Sequence, residues 1–391
     1  MRKILEGSRA VAEAVALCRP HVISAYPITP QTHIVENLSQ MVADGDLKAV
    51  SVNVESEHSA ASVVLGASLT GARAYTATTS QGLFLMGEVL FNIAGMRAPV
   101  VLTCANRAVS APISIWNDQQ DSIAMRDSGW IQLYAENNQE AVDMHIQAFR
   151  LAEDPRISLP VMVCMDGFVL THCFEPVDIP TQDNVDQFLP PYRPEEYLTP
   201  ERPLTFGPMM DPNYYAETRY AIHQTMLEAI PLITQIAAEY EHMFGRPSGG
   251  LLESYRTEDA ERILVAMGSL AGNIKEVVDA LRDDGQKVGL VRLITYRPFP
   301  SRQLVDALSG AKAIGVLDKD ISLGYEGALA TDLRSAFSGQ RQQPVIRNFV
   351  LGLGGRDVPT ATIHTIFEKL EEGPAAVDFI DVNPELKVQQ G

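Results

Sequence analysis

The run Pro99-Val100-Val101-Leu102-Thr103-Cys104-Ala105 is apolar at almost every position, so a strand built from it has no polar face to give to water. Such a strand needs cover on both sides, as in a parallel sheet with helices packed on each face. The flanking segments repeat the theme. His21 to Ala25, Ala49 to Val54, Ala74 to Thr79 and Leu159 to Met165 read as further short strands. Between them, Ser8 is placed to cap a helix bearing Val11, Ala12, Val15 and Ala16, and Gln31 to Val42 carries Ile34, Leu38 and Met41 at helical spacing. A helix rich in small residues runs from Glu57 to Leu69 and stops at Gly71, and Gln81 to Ile93 and Asn137 to Ala152 continue the alternation. The pattern predicts an α/β fold, a doubly wound parallel sheet over residues 1–175.

The texture then changes. Nine prolines fall between positions 176 and 212, too many for long regular elements. A helical stretch from Tyr215 to Phe244 follows, with Pro231 expected to interrupt it, and Gly245-Arg246-Pro247-Ser248-Gly249-Gly250 reads as a linker. Residues 176–250 are therefore expected to be a proline-rich arm and helical connector, and 251–391 a second, smaller α/β domain. The arm carries Phe188, Leu189, Tyr192, Tyr197, Leu198 and Phe206, more large apolar groups than a free tether needs. It is expected to dock on a partner or a second copy of the chain, the alternative being an excursion packed on its own domain.

Composition narrows the function. The 391 residues hold 31 Lys plus Arg against 49 Asp plus Glu, a net charge of −18, which disfavours a nucleic-acid partner. Cys18, Cys104, Cys164 and Cys173 form no CxxC pair, so neither a zinc ribbon, an iron-sulfur ligand run nor a disulfide framework is expected, and a reducing cytoplasm suits them. The eight His show no HxxxH or similar short metal spacing, and no metal site is expected. Glu6 breaks the apolar start that a signal peptide needs, and no stretch is long and apolar enough to span a bilayer.

In parallel sheets, ligands gather at the loops after strand C-termini. Three such loops carry chemistry. In Tyr26-Pro27-Ile28-Thr29-Pro30-Gln31-Thr32, two prolines hold the backbone while Thr29 offers a hydroxyl near a helix N-terminus; helix capping is the plainer reading of it. Ser56-Glu57-His58 puts Glu57 at the start of a helix, where an acid also simply complements the dipole. Ala105-Asn106-Arg107 places a single Arg after the apolar strand, ahead of an irregular loop with Trp116-Asn117-Asp118-Gln119-Gln120-Asp121. Gly352-Leu353-Gly354-Gly355 lacks the GxGxxG spacing and is read as a tight turn.

Together these loops resemble the alpha subunit of the 2-oxoacid:ferredoxin oxidoreductases, thiamine diphosphate enzymes, and most closely their pyruvate members. The matching segments are Tyr26 to Pro30, Ser56-Glu57, Thr78-Thr79-Ser80-Gln81-Gly82-Leu83, Ala105 to Ala108, Ile115 to Gln119 and Met165-Asp166-Gly167-Phe168. Tyr296-Arg297-Pro298-Phe299 and Gly352 to Asp357 extend the resemblance over nearly the whole chain. It implies a pyrimidine-binding domain followed by a transketolase C-terminal-like domain. Glu57 is then the acid that drives the cofactor's aminopyrimidine to its imino form, and Arg107 with Thr29 holds the oxoacid carboxylate.

The resemblance also implies what is missing. The Gly-Asp-Gly motif that holds the diphosphate and its magnesium is absent, since Met165 precedes Asp166-Gly167. A beta subunit is expected to supply it, with iron-sulfur clusters on a ferredoxin-like delta subunit, a gamma subunit beside them, coenzyme A as acyl acceptor, and ferredoxin or flavodoxin as electron acceptor. The expected reaction is oxidative decarboxylation of pyruvate to acetyl-CoA and carbon dioxide, and its reverse. Oxalate or a branched-chain 2-oxoacid as substrate, a lipoamide-linked dehydrogenase and a non-catalytic scaffold stand as alternatives.

Overall fold

The computed structural model describes residues 2–341, 343–383, 385 and 386; the extreme ends of the expected first and last domains, residue 1 and residues 387–391, lie outside the described residues. The chain divides into two units, the first running through Leu252 and taking in Leu293–Pro300, the second comprising Glu253–Arg292 and the chain from Ser301 onward.

The first unit holds a seven-stranded sheet. Its spatial order is Thr295–Arg297, Ile131–Tyr134, Val161–Asp166, Val101–Asn106, Ala74–Thr78, Val22–Ala25 and Val50–Asn53. The six strands from Ile131–Tyr134 to Val50–Asn53 pair in parallel, and Thr295–Arg297 adds an antiparallel edge. Every residue of Val101–Asn106 and Val161–Asp166 is buried, as central strands covered on both faces require. The helices fall where the apolar periodicity places them, Glu57–Leu69 to the residue and the others within about two positions. Ser8 departs from its expected capping role: the helix begins at Gly7, and the Ser8 hydroxyl donates to the Thr171 carbonyl at 2.9 Å.

The proline-rich segment is more regular than its composition predicts. Phe174–Asp178 pairs antiparallel with Arg2–Glu6, Gln182–Phe188 is a helix, and Val177, Val185, Phe188 and Leu189 lie in the core of the first unit. Buried Arg73 anchors this stretch, binding both Glu153 carboxylate oxygens at 2.6 Å and the Pro190 carbonyl at 2.8 Å. From Pro191 to Tyr215 the chain is mostly exposed and follows its own domain, Leu198 N–H bonding the Leu69 carbonyl at 2.7 Å. Pro231 does not interrupt its helix, and Tyr215–Phe244 is continuous. Pro231 is exposed while Ala229, Leu232, Ile233 and Ile236 are buried, so the missing N–H costs one bond and the packed face holds the helix.

The second unit has a six-stranded sheet in the order Val377–Phe379, Val345–Val350, Ala313–Asp318, Arg262–Ala266, Val288–Leu293 and Leu252–Tyr255. The pairs from Val377–Phe379 to Val288–Leu293 are parallel. The strand Thr295–Arg297 follows Val288–Leu293 in the chain yet joins the sheet of the first unit, so residues 293–300 leave the span expected for the second domain. Gly352, Gly354 and Gly355 all take positive φ around a single 3-10 turn, which is why glycine recurs there.

Candidate active site

Strand order locates the site. After Val22–Ala25 the chain crosses to Val50–Asn53 on one side and returns to Ala74–Thr78 on the other, so the direction of winding reverses between Val22–Ala25 and Ala74–Thr78. In such sheets the crevice beyond the strand C-termini at that reversal is where ligands bind. The Tyr26–Gln31 loop and the Thr78–Gly82 turn flank it. Gln31 ties the two together, its Nε2 donating to the Ala77 carbonyl at 2.7 Å and to the Tyr26 carbonyl at 3.2 Å.

Glu57 heads its helix behind an N-cap Ser56 whose hydroxyl accepts from Ser59 N–H. The residue is only 6% exposed, and among the described residues its carboxylate has no hydrogen-bond or ion-pair partner. With no partner among the described residues, its oxygens remain available to a group from outside the chain. Gly82 makes the space. A Cβ at position 82 would stand 2.7 Å from Glu57 Oε1 and 2.5 Å from Thr78 Oγ1, so only glycine lets the carboxyl lie against the next helix. Thr78 Oγ1 is itself buried without a partner.

Arg107 is linked to the same turn through Asp121, which accepts from both Ser80 N–H and Arg107 N–H. Its Nη1 donates to the Thr29 carbonyl at 2.8 Å and its Nε to the Ser114 carbonyl at 3.0 Å; among the described residues Nη2 makes no hydrogen bond. The fold thus brings Arg107 and Thr29 together, through the threonine backbone, with Thr29 exposed. Burial pulls the Arg107 pKa below its usual value and nearby Asp121 opposes that pull.

Asp121 holds the arrangement in place. Fully buried, it accepts from Ser80 N–H at 2.9 Å and Arg107 N–H at 3.0 Å on one oxygen, and from Asn106 Nδ2 at 2.8 Å and Ser122 N–H at 2.7 Å on the other. Burial raises its pKa and the four donors counter the rise. Ser80, at φ +47°, also donates through its hydroxyl to the Ala108 carbonyl at 2.5 Å. A continuous path therefore runs from Glu57 across Gly82 and Ser80 to Asp121, Arg107 and Thr29. Asp166-Gly167 joins the same network through Asn106, with Asp166 accepting from Asn117 Nδ2 at 3.1 Å and Gly167 N–H bound to the Asn106 carbonyl at 3.0 Å. His58 is exposed, as is Cys173. Asp121 and Gly82 carry no spacing signal for these roles, because the contacts that define them reach far along the chain, to Ser80 and Arg107 for Asp121 and to Glu57 for Gly82.

Residues 13–238 match the family model described as pyruvate flavodoxin/ferredoxin oxidoreductase, thiamine diphosphate-binding. The chain belongs to that family. Residues 260–363 match a second model, described as pyruvate:ferredoxin oxidoreductase core domain II. Among relatives, the chain is 50% identical over 390 residues to a pyruvate synthase subunit PorA of Methanosarcina barkeri, covering 98% of this chain and 97% of the relative. The PorA subunit of Methanocaldococcus jannaschii is 50% identical over 373 residues, covering 95% of each. A ketoisovalerate oxidoreductase subunit VorA of Pyrococcus horikoshii is more distant, at 41% over 373 residues, covering 95% of this chain and 94% of that one.

A solved 2-oxoglutarate:ferredoxin oxidoreductase from Magnetococcus marinus superposes with a TM-score of 0.72 at 20% identity, covering 95% of this chain and 65% of that longer one. A split-gene transketolase superposes at a TM-score of 0.54 and 11% identity, covering 94% of this chain and 99% of that one. These likenesses bear on the fold alone. No described helix is long and apolar enough to cross a membrane.

Proposed function

We propose that the chain is the alpha subunit of a thiamine diphosphate-dependent pyruvate:ferredoxin oxidoreductase that forms acetyl-CoA and carbon dioxide and runs in reverse as a pyruvate synthase. The observation that carries the reading is the buried, unpartnered Glu57 carboxylate against Gly82, within a family whose matching domain binds this cofactor. The greater identity to pyruvate than to ketoisovalerate subunits favours pyruvate as the oxoacid.

The residues present fit the aminopyrimidine half of thiamine diphosphate. When bound, that cofactor supplies a thiazolium carbon that adds to the ketone of a 2-oxoacid and lets carbon dioxide leave. Glu57 is placed to hold a proton at a ring nitrogen of the aminopyrimidine, and its burial shields that proton from bulk water. Thr78 and Gly82 line the space beside the Glu57 carboxyl group, where the ring would be held. Arg107 presents Nη2 to the substrate carboxylate, its other nitrogens fastened by Ser114 and Thr29 so that its planar fork is preset. The Thr29 hydroxyl adds a second donor.

Asp166-Gly167 is engaged in holding Asn117 and Asn106, which supports placing the diphosphate and magnesium on a beta subunit with a Gly-Asp-Gly motif. Iron-sulfur clusters are assigned to a ferredoxin-like delta subunit, with a gamma subunit completing the assembly, coenzyme A accepting the acyl group and ferredoxin or flavodoxin the electrons. The reducing cytoplasm is the expected compartment.

The assembled enzyme tests the assignment. Glu57→Gln is expected to assemble normally and turn over roughly 10²–10⁴-fold more slowly. Arg107→Ala is expected to weaken oxoacid binding by about 2–5 kcal/mol while cofactor binding persists. Wild-type turnover in Glu57→Gln, or unchanged oxoacid affinity in Arg107→Ala, would overturn the respective role.

A further inference from the structure

Away from the Glu57 carboxylate, the fold gathers three side chains from positions remote in the chain. Pairing of Arg2–Glu6 with Phe174–Asp178 sets Glu6 opposite Phe174, two residues beyond His172. His33 sits in the first turn of the helix Thr32–Asp44. Glu6 Oε1 lies 2.7 Å from His33 Nδ1, and the His33 and His172 rings are 4.9 Å apart between centroids. One ligand-capable atom from each of the three residues lies within 4.8 Å of the others.

We propose that Glu6, His33 and His172 form a binding site for one divalent transition-metal ion of the zinc, cobalt and nickel class.

The donor set selects that class. Two imidazoles and one carboxylate suit borderline ions, whereas calcium and magnesium require oxygen ligands throughout. His172 is oriented for the task. Its Nδ1 is 2.7 Å from the Thr171 hydroxyl, which leaves Nε2 for the metal, the arrangement in which a ligating His engages an oxygen through its other nitrogen. Thr171 is buried and held at three points: its carbonyl accepts from Ser8 N–H and Ser8 Oγ, and its hydroxyl accepts from Phe168 N–H. That support fixes the His172 end of the site.

Tetrahedral ligands on zinc stand roughly 3.3 Å apart, so Glu6 Oε1 and His33 Nδ1, now 2.7 Å apart, must part slightly while the His172 nitrogen, within 4.8 Å, closes on them. His33 is half-exposed, and the open side toward solvent supplies water as a fourth ligand. A bound ion would fasten three segments at once: the N-terminal strand, the helix that follows the Thr29 loop, and the turn after Asp166. Its expected effect is structural, stiffening the Thr29 loop from behind.

The test is a titration of the purified full-length chain, stripped with EDTA, using cobalt(II). One equivalent is expected to bind saturably with the visible d–d absorption of a tetrahedral site, to be displaced by zinc, and zinc is expected to raise the thermal midpoint. His33→Gln and His172→Gln, each checked for an unchanged far-ultraviolet circular dichroism spectrum, are expected to bind at least the roughly 10–100-fold more weakly that loss of even an outer-shell partner causes. His33→Gln replaces a half-exposed side chain, so that variant reads the site even if His172→Gln fails to fold. The absence of one-equivalent binding, or affinity that survives His33→Gln but is lost in Cys173→Ser, would overturn the proposal.

Discussion

Gly82→Ala separates the position of Glu57 from the stability of the fold. The new methyl group would meet Glu57 Oε1 at 2.7 Å, Glu57 Cγ at 2.9 Å and Thr78 Oγ1 at 2.5 Å, each nearly an ångström inside ordinary contact. The carboxyl group has to move, and displacement of a reacting group by about 1 Å can cost about 100-fold in rate. Stability responds differently. Alanine within the helix Ser80–Gly95 gains about 0.5–1 kcal/mol over glycine, against an overpacking cost of about 1–3 kcal/mol, so the net change is a loss of no more than about 2.5 kcal/mol. Gly87 in the same helix is the control, because a Cβ there meets nothing closer than Met125 at 3.9 Å. Gly87→Ala is expected to stabilise the chain and leave turnover unchanged. The assay is 2-oxoacid turnover of the assembled enzyme beside thermal unfolding of each chain. Wild-type turnover in Gly82→Ala, with the fold intact, would show that Glu57 does not act from this position.

Asp121→Asn has one acceptor oxygen for donors that now occupy two, and Asn106 can relieve one loss by turning its own unpartnered carbonyl to the new amide; the donor left over costs about 1–3 kcal/mol, or roughly 2–12 °C in thermal midpoint, and an unchanged midpoint would refute this. His145 is fully buried between Thr103 Oγ1 and the Ala141 carbonyl, and burial draws its pKa from 6.5 down to about 4. A base depressed in the fold gives stability that is complete above its unfolded pKa and lost as pH falls toward the folded one, so about 3 kcal/mol should vanish between pH 6.5 and 4 and His145→Gln should lack that slope in denaturant titrations. Limited proteolysis of the isolated chain should cut between Pro191 and Tyr215, where the chain is exposed, and spare residues 176–190, which Arg73 and the core retain; early cleavage within 176–190 would contradict that division.

The α/β alternation was legible because each element answers to its own local pattern. Val101–Asn106 has no polar face whatever surrounds it, and Glu57–Leu69 is bounded by a capping serine at one end and Gly71 in a left-handed conformation just past the other. Glu57, Arg107 and Thr29 were reached through motif resemblance, since any one of them alone reads as a helix cap or a surface charge. Contacts between distant segments were not legible, because no local pattern encodes them. Asp121 is one polar residue in an irregular loop until the fold sets it under Ser80 and Arg107, and Gly82 is an ordinary helical glycine until Glu57 lies against it. Pro231 argued for a break that packing on one face overrode, and residues 295–297 joined the first sheet by completing its edge. Glu6, His33 and His172 share no spacing at all; strand pairing and helix placement alone make them neighbours. Periodicity decides what a segment becomes, because backbone bonding and one-sided burial act over a few residues; which side chains meet is decided by packing, which acts across the whole sheet.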